Sequence, residues 1–157
     1  CLSFILVPRL FKDNKISYAC ATIGSYIAML SGLSFLGVGL TPADLYFHEH
    51  VFFVIVGFRS MVPAMVFLTL AFFFSPVSNK YTVASVLFLL SITIYAFFET
   101  SDPPDVSPRE NLELFKETVS YNRMVISVIA QKVITLISFV SFFVFTYGFY
   151  QLSLLKK

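Results

Sequence analysis

From Tyr18 to Leu40 the chain runs through 23 residues without a charge. At about 1.5 Å per residue, a helix of that length reaches roughly 35 Å and covers a bilayer core of about 30 Å. A helix closes its own backbone hydrogen bonds, which is what hydrocarbon demands of any segment that crosses it. Three further apolar stretches follow, at about 50–74, 81–98 and 124–150. The expected fold class is all-α, a polytopic transmembrane helix bundle forming a single membrane domain over residues 1–157. With 57% apolar and only 13% charged residues there is too little polar surface to clothe a water-soluble core of this size.

The connections carry the expected stop signals. Thr41-Pro42 ends the first span, and Ser75-Pro76 with Asn79-Lys80 separates the second from the third. The third stops at Glu99, where Pro103, Pro104 and Pro108 mark an exposed loop. Ser107-Pro108-Arg109-Glu110 has the form of a capping box, with Ser at the cap, Pro at the first helical position and Glu reaching back. It predicts an amphipathic helix over 108–121 that presents Leu112, Phe115 and Val119 to the membrane surface. The last span exceeds the bilayer thickness, so it must tilt or protrude.

At the N-terminus, the apolar residues before Pro8 precede the basic residues Arg9, Lys12 and Lys15, the reverse of a signal peptide. Residues 1–8 therefore read as the inner end of an earlier span, with a lipid-modified Cys1 as the rival. Cys1 and Cys20 form neither a metal pair nor a convincing disulfide, and they leave the redox compartment open.

Charge is sorted by side. Arg9, Lys12, Lys15, Lys80, Lys156 and Lys157 alternate correctly with the spans if all are cytoplasmic. The loops at 41–49 and 99–122 are then extracytoplasmic and hold eight of the nine carboxylates: Asp44, Glu49, Glu99, Asp102, Asp105, Glu110, Glu113 and Glu117. The expected localisation is an integral, multi-pass membrane protein with a cytoplasmic C-terminus. The small net charge of +2, without clustered Lys and Arg, excludes a nucleic-acid partner.

Arg59 lies about nine residues into the second span, some 13 Å deep. An Arg at that depth costs about 2.5 to 3.5 kcal/mol on insertion scales, so it should face protein or water. It reads either as an anion or lipid-headgroup contact in an outward-facing cavity or as half of a salt bridge that fixes packing. Pro63 removes the backbone bond to residue 59 and frees the Arg59 carbonyl, though proline is also common in membrane helices without function. Lys132, with Gln131, is either a second deep cation that joins Arg59 in a positive pocket, with Glu99 or Asp44 as counter-charge, or an interfacial residue that snorkels outward.

The segment TPADLYFHEH places Asp44, His48, Glu49 and His50 within seven residues, the chemistry of zinc sites and general bases. His48 and His50 are two apart and so point to different faces of a helix, and the chain has only 2 His. No metal is therefore expected. A site on His48, His50 and Asp44 is the alternative to a solvated loop, in which Asp44 caps the next helix. No phosphate loop, serine elbow or paired-cysteine motif occurs, and no cofactor is implied.

The stretch GVGLTPADLYFHEHVFFVIVGF resembles the third-to-fourth helix junction of an uncharacterised family of six-span membrane proteins, a domain of unknown function related to the DRAM, FRAG and SFK-like group. The features that carry the resemblance are Gly37 and Gly39, Pro42, Asp44, and His48 or His50. It implies a six-helix parent in which two N-terminal helices precede most of this chain, a role in lipid or membrane homeostasis, and no established catalysis. Ala130-Gln131-Lys132-Val133 would match a polar-basic pair in the family's final span. The chain departs from that pattern in its lack of Trp and its long acidic outer loop.

The functional expectation is a non-enzymatic membrane protein with an outward-facing polar site of Arg59, Lys132, Gln131, Asp44, His48, His50 and Glu99. Its expected partners are the bilayer and an anionic lipid headgroup. The alternatives are an intramembrane metal-dependent lipid hydrolase using the His48/His50 loop and a small transporter subunit.

Overall fold

The computed structural model describes residues 2–100 and 106–154, so Asp102, Asp105, Lys156 and Lys157 lie outside the described residues. Helices α1 (Lys15–Leu40), α2 (Phe47–Phe73), α3 (Asn79–Thr100), the short α4 (Leu112–Thr118) and α5 (Tyr121–Leu154) follow one another. α1, α2, α3 and the Met124–Ser141 part of α5 are each long and apolar enough to cross a membrane. The segment expected as the end of an earlier span forms two 3₁₀ turns, Leu2–Ile5 and Val7–Phe11, with Val7 and Phe11 buried in the core.

Asn14 starts α1. Its Oδ1 accepts hydrogen bonds from the Ile16 and Ser17 backbone N–H groups at 2.9 and 3.2 Å, a standard cap for the first-turn donors. At the other end the Thr41 N–H and hydroxyl both donate to the Gly37 carbonyl, and Pro42 cannot continue the ladder. A turn through Pro42 reverses the chain, and α2 begins at Phe47, one turn earlier than the apolar run suggested, because the His50 N–H already bonds the Tyr46 carbonyl at 2.9 Å. The same Asn14 that caps α1 donates from Nδ2 to the Phe74 carbonyl at 3.0 Å. That bond closes the α1–α2 hairpin at its open end.

The buried face of α1 consists entirely of small residues: Ser17, Ala21, Gly24, Ser25, Ala28, Ser31 and Ser34. Spaced three and four apart, they form one stripe and let α2 approach closely, the usual way helices associate where lipid competes with large apolar side chains. Four of these seven residues are serines. Ser31 Oγ donates across the seam between α1 and α2 to the Gly57 carbonyl at 2.8 Å.

α3 packs on α2, and α5 packs on α3. At one end Phe11, Phe72, Tyr81 and Phe149 join in a ring cluster, with Phe72 and Phe149 stacked at 5.4 Å and Phe11 edge-on to Phe72 at 5.5 Å. Nearer mid-height Ile92, Tyr95 and Ile134 form a second buried cluster against Phe58. The outer surface is apolar, with Leu33, Leu36, Phe52, Leu87, Ile94, Phe97, Leu136 and Phe143 all exposed. That inversion of the water-soluble pattern is stable only where lipid is the solvent.

The capping box forms, but it does not start the helix expected over 108–121. The Glu110 N–H bonds Ser107 Oγ at 3.1 Å and the Ser107 N–H bonds Glu110 Oε2 at 3.0 Å, closing a single turn. Asn111 then adopts an extended conformation and caps α4 itself, accepting from the Leu114 N–H at 3.1 Å. A second strong capping residue four positions after the first breaks the helix between them.

Candidate functional site

The loop end of the bundle brings together two segments about sixty residues apart. α2 opens with His48 in its first turn, and His48 Nε2 lies 3.7 Å from Glu110 Oε1 in the capping-box turn. One residue earlier in that turn, Arg109 Nη1 donates to the Asp44 carbonyl at 3.3 Å. Glu110 thus serves two partners, Oε2 for the Ser107 N–H and Oε1 for His48. The Glu110 carboxyl is held below the usual carboxylate range, first by the hydrogen bond from the Ser107 backbone and then by the Ser107 side chain. Slight desolvation opposes these, and the charge and hydrogen bonding of His48 add smaller lowering effects. With His48 and Glu110 64% and 56% exposed, the ion pair itself is worth little and acts only while the imidazole is protonated.

His50 faces elsewhere. Its Nδ1 lies 2.6 Å from the Thr41 carbonyl, which only accepts, so this nitrogen carries the proton and ties α2 back to the end of α1. Asp44 joins the cluster through its carbonyl, while its carboxylate is exposed. Among the described residues no three of His, Cys, Asp and Glu gather closely enough to hold a metal ion. The arrangement therefore fastens two loops together, and it assembles no general acid–base pair at a buried position.

Arg59 and Lys132 do not converge. The buried residues of α2 (Gly57, Ala64, Leu68, Ala71 and Phe72 among them) lie on one side of the helix. At about 100° per residue Arg59 falls on the opposite side. It shares an exposed stripe with Phe52, Pro63, Val66, Leu70 and Phe73. It stands twelve residues into α2, about 18 Å from the first turn, deeper than the sequence suggested. On α5 the buried residues Ile134, Ser141 and Gly148 define the packed face, and Lys132 lies about 200° from the adjacent Ala130, turned away from the bundle. Gln131 is exposed beside it. The side chain of Glu99, the counter-charge expected for a positive pocket, lies outside the described residues.

At the opposite end of the bundle Arg9, Lys12, Lys15 and Lys80 gather around the open end of the α1–α2 hairpin and the start of α3. Asp13 is the acid among them, and all five side chains are exposed. The Lys80 ammonium stands 5.1 Å from the Tyr81 ring centre and 5.9 Å from that of Tyr147, and Tyr150 follows one turn on. An aromatic pair beside a lysine is the arrangement that anchors a helix end at headgroup level. Sequence reading counted Lys80 but missed its ring partners, although Tyr147 and Tyr150, three apart near the end of the last span, were the available signal.

Together the fold and these two polar ends define a multi-pass α-helical membrane protein. No protein-family model, no curated protein and no solved structure matches the chain.

Proposed function

We propose that the chain is a non-catalytic integral membrane protein whose basic end is cytoplasmic and engages anionic lipid headgroups. The observation that carries this reading is the sorting of charge between the two ends of the bundle. Arg9, Lys12, Lys15 and Lys80 against Asp13 occupy one end, while Asp44, Glu49, Glu110, Glu113 and Glu117 against Arg109, Lys116 and Arg123 occupy the other. Basic residues are retained on the cytoplasmic side, and each Lys or Arg near an anionic leaflet contributes about 1 kcal/mol of attraction. The loop end has the wrong net sign for that role, so the lipid contact expected of an outward-facing site is assigned to the other rim. In this reading both chain ends are cytoplasmic, and the 41–46 and 106–111 loops, held by Arg109 and Glu110, form the outer cap of a bundle that in a six-span parent would gain two helices.

The test is thermal stability in nanodiscs of pure phosphatidylcholine against the same lipid with phosphatidylglycerol. The anionic lipid should raise the melting temperature of the wild type, and Lys12→Gln, Lys15→Gln and Lys80→Gln combined should remove most of that rise. An equal rise in the triple variant would refute the assignment.

A further inference from the structure

α5 is the least covered of the four spans: only 12% of its Met124–Ser141 window is buried, against 22–33% in the other three. Near the middle of that window Gln131 and Lys132 are exposed side by side, eight and nine residues from its ends, or about 12 and 13 Å for Lys132. The packing register against α2 agrees with this depth. Ile134, half a turn on, is buried with Tyr95 against Phe58, the twelfth residue of α2 and close to its middle. Neither the Lys132 ammonium nor the Gln131 amide has a partner among the described residues. Their neighbour Thr135 turns its hydroxyl back onto the Gln131 carbonyl at 2.7 Å. Lys132 therefore projects beside an exposed stripe made of Ile129, Val133, Leu136 and Val140, with Gln131 about 100° away on its other side.

We propose that this face of α5 docks a transmembrane helix of a partner protein that carries an Asp or Glu at matching depth. Charge complementarity in a medium without water selects this occupant. A carboxylate neutralises Lys132 and accepts its hydrogen bonds, whereas a lipid phosphate lies beyond the reach of a lysine stem this far from either end of the apolar stretch. A two-fold pairing of this face with a second copy would set Lys132 against Lys132. The surrounding apolar residues recur three and four apart, at 129, 133, 136, 140 and 143, the spacing with which two helices pack side by side. The inference rests on the spans being embedded in a bilayer and is independent of which end is cytoplasmic.

The test uses the full chain, labelled at Ala43→Cys in a Cys1→Ser, Cys20→Ser background, and reconstituted in phosphatidylcholine vesicles. A synthetic Leu/Ala transmembrane peptide with one central Asp, and its all-apolar counterpart, are added, and energy transfer reports association. The Asp peptide should bind about tenfold more tightly than the apolar one. That preference should persist in Lys132→Arg and vanish in Lys132→Leu. No preference in the wild type would overturn the proposal, as would an undiminished preference in Lys132→Leu. So would modification of Lys132→Cys by a membrane-impermeant thiol reagent as fast as a cysteine at position 43, because Lys132 would then stand in water or at the headgroups.

Discussion

Replacing Gly24 by Ala tests whether the α1–α2 seam governs stability. A Cβ at Gly24 would sit 3.0 Å from Leu68 Cγ, 3.1 Å from the Ala64 carbonyl oxygen and 3.1 Å from the Leu68 backbone nitrogen. Two of those three atoms belong to the backbone of α2, so no rotamer change relieves the crowding. The helices must part by a few tenths of an ångström along a stripe where Ala21, Ala28 and Ser31 touch as well. Overpacking of this kind costs about 1–3 kcal/mol, and 2 kcal/mol corresponds to roughly a thirtyfold change in the folded-to-unfolded ratio. Gly39, on the same helix, is the internal control, since a Cβ there meets nothing within 4 Å. Gly39→Ala should be neutral or slightly stabilising through helix propensity, a gain below about 1 kcal/mol. The assay is SDS titration out of mixed lipid–detergent micelles, with the α1–α2 contact followed by fluorescence. If Gly24→Ala unfolds at the wild-type SDS fraction, or if both variants are destabilised equally, the close-approach argument is wrong.

Ser31→Ala removes the interhelical bond to the Gly57 carbonyl and should lower stability by about 0.6 kcal/mol in the same titration, a typical figure for a polar contact between membrane helices. Asn14→Ala removes both the α1 cap and the tie to the Phe74 carbonyl, so its loss should exceed the roughly 1 kcal/mol of a cap alone; Asn14→Asp, which keeps the acceptor and loses the donor, should fall between. At the loop end, Ser107→Ala and His48→Ala should each raise the Glu110 pKa toward the ordinary value, and neither should restore it fully because the Ser107 backbone N–H still donates, as read by NMR titration of the carboxyl carbon. Because that pKa is depressed in the folded protein, the turn is stabilised at pH above the usual carboxylate range. The stabilisation is lost as pH falls through the folded value, so the protection of the Glu110 and Asn111 amides, taken as the exchange rate relative to the intrinsic rate at each pH, should fall on acidification and should not change with pH in Glu110→Gln.

The four spans were readable because uncharged length is a local property, and their ends were marked by Pro42, Pro76 and Asn79. The three-residue errors at the start of α2 and α5 arose where polar residues, His48 and Glu49 or Tyr121 and Asn122, continue a helix beyond its apolar part. The α4 error had a different origin. Ser107 and Asn111 are both legitimate caps, and choosing between them depends on where the chain must go next. The candidate site was legible residue by residue but not as a group. Spacing along one helix places Arg59 or Lys132 by angle only relative to its own neighbours, and which angle faces protein is set by the helix that happens to pack there.

What the amino acids alone determine is the solvent: without a polar shell, the long uncharged runs have only lipid to bury them, and the charges between them sort by end. Only the tertiary structure decides that His48 meets Glu110, that Ser31 reaches Gly57, and that Lys132 and Arg59 face away from the core on different helices. Those pairings depend on the depth and rotation at which separate helices dock. In a bilayer, small-residue contacts and a few hydrogen bonds set both, because apolar side chains gain about as much from lipid as from each other.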